Sequence, residues 1–492
     1  LPRFLLGVGF YLFLAGLLFI THYGFLDLPL FWDELGHFIP AALDLWRDGE
    51  WIPKSVTPNV HPPGVMAWLT LCWSVAGFSV ESTRVAMLLL ASAWVLVTFL
   101  LALELSRGNP SALPLLPPAL LVASPLFFTQ SMMAQLDMPA ALFGTLALYL
   151  FLRRRYWDSA AVCTVLVMVK ETGLVVALVM GAWLAWRREF RRAALFLLPP
   201  AALALWLIAL RTSTGHWFGS EAFANYNLDY ALHPVRIALA LVRRLYYLFF
   251  AEFRWIALLL LIVAWRRGAP LRGYPWNLIA ILAGAYVLMF SLAGGAHLER
   301  YLLPVLPLLY LATGAAVSAL PVRAGRSAVL ALGVGLTAGL LWNPPWPFPH
   351  ENNLSMVKLA WLHRDAARYL DRFYPEAVVA TAWPLSAGLR DPDFGYVERP
   401  RRVVEIPDFR RSNLHVLDSK NFDILVLYSR DWAPEESWTR LPFVEALMRL
   451  YYGYEPPLGA AELIERYGLH RVRREQLGGY WVEILAKRNL SG

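Results

Sequence analysis

The feature that most constrains this chain is a recurrence: long apolar runs return through its first two thirds, and arginines cluster at their ends. The runs cover residues 4–20, 85–103, 140–152, 193–210, 255–264, 279–292 and 301–320. Most approach the roughly 17–25 residues that carry a helix across a hydrocarbon core. Lipid offers no water to satisfy backbone N–H and C=O groups, so such runs are read as helices. Composition agrees, because 58% hydrophobic and 16% charged residues leave too little polar surface for a soluble chain of 492 residues. After Leu341 charges return and short apolar stretches alternate with polar ones. The sequence therefore divides into a membrane domain, 1–344, and a soluble domain, 345–492.

The first apolar run has no small-residue cleavage site behind it and reads as a retained helix, although Leu1 is not a start methionine. Cys72 and Cys163 sit inside apolar runs far apart, where they serve as small packing residues rather than a disulfide or zinc site. A net charge of +8 could suggest nucleic acid, but the arginines lie at the ends of apolar runs, where they anchor helices. No nucleic-acid partner is expected.

Lys and Arg in short loops resist translocation, so five arginine clusters fix a topology: Arg107; Arg153 to Arg155; Arg187, Arg188, Arg191 and Arg192; Arg266, Arg267 and Arg272; Arg323 and Arg326. With all of them cytoplasmic, a helix at 4–25 runs outward and a long outer loop, 26–81, follows. A helix at 82–105 returns, and later outer turns fall near 131–139, 170–173, 211–245 and 294–300. This map has about eleven crossings, a cytoplasmic N-terminus and an extracytoplasmic C-terminal domain, as in a multi-pass protein of a cell (inner) membrane. The segments on either side of Lys170 and Glu171 are short for full spans; one long helix there would invert everything downstream.

On this map Asp33, Glu34, His37, His61, Asp137, Lys170, Glu171, His297, Glu299 and Arg300 all fall in outer turns. Ionisable groups at membrane depth are costly and line functional cavities. A set drawn from several separate loops reads as one polar site that faces outward.

The first outer loop reads Phe31-Trp32-Asp33-Glu34-Leu35-Gly36-His37-Phe38, and His61-Pro62-Pro63-Gly64 opens a later apolar segment. Arg84 opens the next helix. Then come Ser124-Pro125-Leu126-Phe127, Gln135-Leu136-Asp137-Met138-Pro139, Lys170-Glu171-Thr172-Gly173 and Glu299-Arg300-Tyr301-Leu302-Leu303-Pro304. In this order, over residues 1–320, the motifs resemble those of glycosyltransferase family 39. That family holds the protein O-mannosyltransferases and the bacterial aminoarabinose transferases that modify lipid A.

The resemblance implies an α-helical polytopic membrane protein of the C-type glycosyltransferase fold. It also implies a polyprenyl-phosphate-linked sugar as donor and a protein, lipid A or glycan as acceptor, with membrane lipids around it. By family match Asp33 is the base. Glu34 either orients the acceptor, supports Asp33, or is a solvated loop acid. Donor and phosphate binding fall to Arg300 first and then Lys170, with Arg84, His61 and Tyr301 in the same set.

Competing accounts stand beside these roles. Arg300 could pair with Glu299, Lys170 with Glu171, Arg84 could anchor its helix, and His61 could end a rigid loop. Asp137, with Glu171, His37 and His297, belongs to acceptor binding or support, although Asp137 before Met138-Pro139 could also cap a helix. The histidines read as hydrogen-bonded structural residues rather than metal ligands. No metal or other cofactor is expected to be required; a divalent ion held by Asp33, Glu34 and Asp137 is the alternative.

Trp217, Phe218, Tyr226 and Tyr230 read mainly as an interfacial aromatic belt. The stretch 235–254, with Arg243 and Arg244 among aromatics, reads as an amphipathic helix lying on the outer surface. Beyond Pro344-Pro345-Trp346-Pro347 the expectation is a small α/β domain. Its helices fall near 354–373, 441–451 and 459–467, and its strands at 377–382, 403–406, 424–428 and 481–485. Two rival functions are a transporter or flippase for lipid-linked sugars and a non-catalytic binder. The carrier reading lacks inverted-repeat symmetry and midplane polar residues.

Overall fold

The computed structural model describes residues 2–107, 113–269, 271–293, 296–430, 432, 441–455 and 458–488. It divides into two compact units. One comprises Leu1–Gly24, Ile39–Phe78 and Ser82–Trp342; the other comprises Phe25–Phe38, Ser79–Glu81 and Asn343–Gly492.

The first unit is helical. Among the described residues, four helices are long and apolar enough to cross a membrane: Leu5–Phe25, Val80–Leu105, Phe190–Thr214 and Glu299–Ser318. Shorter apolar helices are Gly64–Ala76, Asp137–Leu152, Tyr156–Val169, Glu171–Trp186, Trp255–Arg266 and Trp276–Leu292. Leu6, Leu12, Ile20, Leu71, Val75 and Leu205 stand exposed on these helices. So many exposed large apolar side chains suit a lipid surround, which makes this a multi-pass membrane protein. The helix Val322–Gly339 carries Arg323 and Arg326 at its start and is less apolar than the others.

Several polar side chains inside the unit are satisfied by their own helix or its neighbour. Ser92 and Thr98 donate to the carbonyls of Leu88 and Trp94 at 2.7 and 2.9 Å, and the Trp94 indole donates to Thr145 Oγ1 at 3.0 Å on a neighbouring helix. Each such bond removes the penalty of an unsatisfied group in an apolar medium.

At Lys170 the backbone turns extended (φ −153°, ψ 125°), and the chain breaks into Tyr156–Val169, a short 3₁₀ turn Glu171–Gly173, and Leu174–Trp186. One long helix does not form there.

The second unit is an α/β domain. Five strands, β1 (Val379–Ala382), β2 (Val403–Ile406), β3 (Ile424–Tyr428), β4 (Leu469–Leu477) and β5 (Tyr480–Lys487), form one sheet in the order β2-β1-β3-β5-β4. β1 pairs in parallel with β2 and β3, while β5 pairs antiparallel with β3 and β4. Central β1 and β3 are buried throughout. The edge strand β4 carries Arg471, Arg473 and Arg474 and a bulge between Arg471 and Arg473, features that discourage further strand pairing.

The helix Ser355–Phe373 buries Met356, Leu359, Ala360, His363, Ala367 and Leu370. That i, i+3, i+4 stripe gives it one apolar face, which it lays against β4 and β5. The helices Pro442–Tyr452 and Ala460–Tyr467 lie within a residue of their expected bounds. Strand β4 was not anticipated.

The loop Phe25–Phe38 belongs to this second unit. Leu30 N–H donates to the Phe394 carbonyl at 3.1 Å, Tyr396 O–H donates to the Leu30 carbonyl at 2.9 Å, and Arg364 Nη1 reaches Asp27 at 3.3 Å.

Candidate functional site

In the first unit, sequence motifs from distant positions meet around one aromatic pair. Tyr301 and Phe290 stack with centroids 5.2 Å apart. Three cations surround the Tyr301 ring: Lys170 Nζ at 4.5 Å, and the guanidinium carbons of Arg300 at 5.7 Å and Arg244 at 5.8 Å. Each of the three is buried. The carboxylate of Asp137 takes two of them, accepting from Lys170 Nζ at 2.5 Å on Oδ1 and lying 3.2 Å from Arg300 Nε on Oδ2.

These partners are not the sequence neighbours. Glu171 accepts from or pairs with His61 through Nδ1 at 2.8 Å, and Glu299 pairs with Arg254 of a distant helix end. Arg254 also lies 3.2 Å from Glu252. Asp137 is the first residue of its helix, not its cap, since Leu136 holds that position.

The local sequence explains how the motifs approach. A Cβ on Gly64 would stand 2.5 Å from the Met168 carbonyl oxygen, so only glycine lets the helix that follows His61-Pro62-Pro63 press against the chain just before Lys170. The Trp206 indole donates to the Val60 carbonyl at 2.9 Å and holds the same loop. Arg84, fully buried, donates from Nη1 to the Met132 carbonyl at 2.9 Å and thereby ties down the segment that leads to Asp137.

Arg244 is the residue that sequence reasoning missed as a site candidate. Its helix, Pro234–Phe249, is amphipathic as expected, and Arg244 lies on its buried face. Leu239, Val242 and Leu245 are exposed, whereas Ala240, Arg244, Tyr247 and Leu248 are buried. Beside a membrane the apolar stripe can face lipid, and the arginine stripe turns inward. Arg244 Nε donates to the Phe290 carbonyl at 2.8 Å, while Nη1 and Nη2 meet no partner among the described residues. Nearby, burial and then the charges of Arg243 and Arg244 push the His297 imidazole down to about 4. It stays neutral at physiological pH, as befits a structural histidine in a positive surround.

Asp33, Glu34 and His37 lie in the second unit. Trp32 takes a left-handed backbone (φ 56°), a conformation of positive φ that is uncommon for a bulky residue and clusters at functional positions. Asp33 follows it at the start of a π-helical turn, Glu34–Phe38. Asp33 is half-buried. Glu34 is fully buried, and its Oε2 accepts the Phe31 N–H at 2.7 Å, so this carboxylate fastens its own loop. Among the described residues no group of three or more His, Cys, Asp or Glu is spaced to hold a metal ion.

No family model matches the chain, and no curated protein matches it. Solved structures do. ArnT from Cupriavidus metallidurans bound to undecaprenyl phosphate aligns over 100% of this chain and 99% of its own, with a TM-score of 0.58 and 14% identity. The fold is that of a C-type glycosyltransferase. The apo form of ArnT gives a TM-score of 0.55 at 13% identity, over 97% of this chain and 98% of its own. The apo oligosaccharyltransferase of Archaeoglobus fulgidus gives 0.50 at 10% identity, over 86% of this chain and 69% of its own. In the ArnT comparison the C-type likeness extends over the C-terminal α/β domain as well as the helices, because nearly the whole of both chains is aligned.

Proposed function

We propose that this chain is an inverting glycosyltransferase that moves a sugar from a polyprenyl-phosphate carrier, of undecaprenyl or dolichyl type, to an acceptor hydroxyl or phosphate at the outer face of a membrane. The observation that carries this reading is the convergence of three buried cations on Tyr301. Lys170, Arg244 and Arg300 bring three positive charges to one buried ring, with the carboxylate of Asp137 beside two of them. Buried like charge is costly until an anion joins it. A sugar phosphodiester brings one negative charge, and a second develops on the leaving oxygen as its bond to the anomeric carbon breaks. Cations held in place beforehand stabilise that second charge most, which is the requirement for rate acceleration. ArnT, which shares the fold, is bound to undecaprenyl phosphate, the class of ligand such a site fits.

The chemistry then needs one base. Asp33 takes the proton of the acceptor O–H as that oxygen bonds to the anomeric carbon; the electrons of the C1–O bond leave with the carrier phosphate, and the anomeric centre inverts in a single step. His61 and Glu171 hold the turn beside Lys170 through their mutual contact, and Arg84 holds the segment before Asp137. Protein, lipid A and glycan acceptors all offer the oxygen required. The topology that goes with this reading has about eleven crossings, the N-terminus in the cytoplasm of a cell (inner) membrane protein, and the C-terminal domain outside. No metal is required in this scheme; a divalent ion at Asp33, Glu34 or Asp137 is the alternative, and the assay repeated after chelator dialysis separates the two.

The test is to purify the wild type and Asp33→Asn in detergent and to follow polyprenyl-phosphate-linked sugars from a membrane extract, with its native acceptors, by mass spectrometry. Consumption by the wild type alone is expected. Donor that binds both proteins and is consumed by neither would overturn the transferase reading in favour of a binder or a transporter.

A further inference from the structure

The C-terminal α/β domain has no catalytic spacing of its own, yet it encloses the segment that carries Asp33. Within the second unit, the Trp32 ring stands edge-on to Trp383 at 4.7 Å and to His350 at 5.5 Å. Trp383 also packs against the loop beyond Asp33 in sequence. A Cβ on Gly36 would stand 3.1 Å from the Trp383 indole nitrogen, so the indole packs directly against the turn three residues after the acid. Trp383 is in turn fixed by the sheet. Tyr428, the last residue of β3, donates its O–H toward the Trp383 carbonyl at 2.6 Å and the Ala382 carbonyl at 3.2 Å. His350 is fixed at Nε2 against the Arg430 carbonyl at 2.7 Å, just beyond the same strand.

Asp33 is therefore flanked on both sides in sequence by residues that touch one indole. The left-handed Trp32 needs such support, because a bulky residue holds a positive φ only where its surroundings over-determine it. Glu34 and Tyr396 fasten the loop's remaining backbone through Phe31 and Leu30.

We infer that the C-terminal domain is a positioning device for the catalytic loop, with Trp383 as its principal positioning residue and His350 as its second, clamping Trp32 and Gly36 so that the Asp33 carboxylate is aimed. This rests on the reading of Asp33 as the base. The domain's contribution is geometric: it sets where the carboxylate stands. A misplacement of about 1 Å in a reacting group can lower turnover on the order of 100-fold. The loss of the indole should thus fall on maximal turnover and spare the extract concentration that gives half-maximal rate, since the phosphate cations belong to other residues.

The experiment uses full-length protein in detergent with the pooled polyprenyl-phosphate-linked sugars of a membrane extract and its native acceptors. Trp383→Ala is expected to lower maximal turnover roughly 10- to 100-fold with little change in half-saturation. Trp383→Phe, which keeps an edge-on ring against Trp32, should recover most of it. Trp383→Ala combined with Asp33→Asn should be no slower than Asp33→Asn alone, because both act through one carboxylate. Hydrogen exchange in peptides covering 29–38 should accelerate in Trp383→Ala and return toward wild type in Trp383→Phe.

Wild-type turnover in folded Trp383→Ala, or losses that multiply in the double variant, would overturn the inference. If Trp383→Ala does not fold, Gly36→Ala disturbs the same contact from the loop side and must show the same turnover-only loss, or the inference fails. Full activity of Asp33→Asn sinks the base and the aiming role together; accelerated exchange with an active Asp33→Asn would mark a clamp that serves no base. The failure of the underlying reading is thereby distinguishable from the failure of the clamp.

Discussion

Replacing Arg244 by methionine should move stability and binding in different directions. In the free protein the guanidinium is 1% exposed, makes one bond to the Phe290 carbonyl at 2.8 Å, and leaves Nη1 and Nη2 without partners among the described residues. Desolvating such a charge costs several kcal/mol. One charge-assisted bond returns about 1.5–3 kcal/mol, and contacts with the Phe290 and Tyr301 rings return on the order of 1–2 kcal/mol. These terms nearly cancel, so Arg244→Met, of similar length and apolar, should leave the unliganded protein as stable as the wild type or slightly more so.

Binding of undecaprenyl phosphate should weaken, because a charge-assisted bond to phosphate of about 1.5–3 kcal/mol corresponds to roughly 10- to 150-fold in affinity. At ligand about 100-fold above the wild-type Kd the bound state gains about 2.7 kcal/mol; a 30-fold loss of affinity cuts that to about 0.9 kcal/mol. Thermal unfolding in detergent, with and without undecaprenyl phosphate, reads both quantities at once. A lower melting temperature in the free variant together with an undiminished ligand-induced shift would refute the reasoning and make Arg244 a structural residue.

Asp137→Asn removes the carboxylate that faces both Lys170 and Arg300. Taking the carboxylate away from two buried cations should destabilise the protein by about 3–5 kcal/mol, and added inorganic phosphate should restore part of the loss in a thermal melt. A pH dependence should arise in the second unit. Burial holds His350 down to about 4, and burial followed by the charge of His350 holds His363 down to about 3. Unfolded histidines take a proton near 6.5, so the unfolded chain binds more protons below that pH; stability is complete above it and declines as pH falls toward 4. For His350 alone the cost approaches about 3 kcal/mol at the acid end. Equilibrium melts from pH 7.5 to 4.5 should show this slope, and His363→Phe, which keeps the edge contact to Tyr428, should flatten it.

What the sequence could determine by itself was local. Apolar length and spacing announced the membrane helices, the stripe of Met356, Leu359, His363 and Leu370 announced a one-faced helix, and the compact apolar runs at 403–406 and 424–428 announced β2 and β3. Strand β4, Leu-His-Arg-Val-Arg-Arg-Glu-Gln-Leu, offers no such signal, because an edge strand is defined by the neighbour β5 rather than by its own hydrophobicity. The motifs around Asp137, Lys170 and Arg300 were legible as candidates, but their pairing was not. Lys170 stands next to Glu171 and Arg300 next to Glu299, yet both cations turn to Asp137, because charge pairs form between groups that packing brings together in a dry interior.

The burial of Arg244 was hidden for the same kind of reason. Periodicity shows that a helix has two faces, and it cannot say which faces lipid and which faces protein. The attachment of the Asp33 loop to the C-terminal domain was equally invisible, since Trp32, Gly36, His350 and Trp383 are joined only by contact. Helix and strand formation follow from neighbours along the chain, whereas burial of charge and the aim of a side chain follow from neighbours in space, and only the tertiary structure decides those.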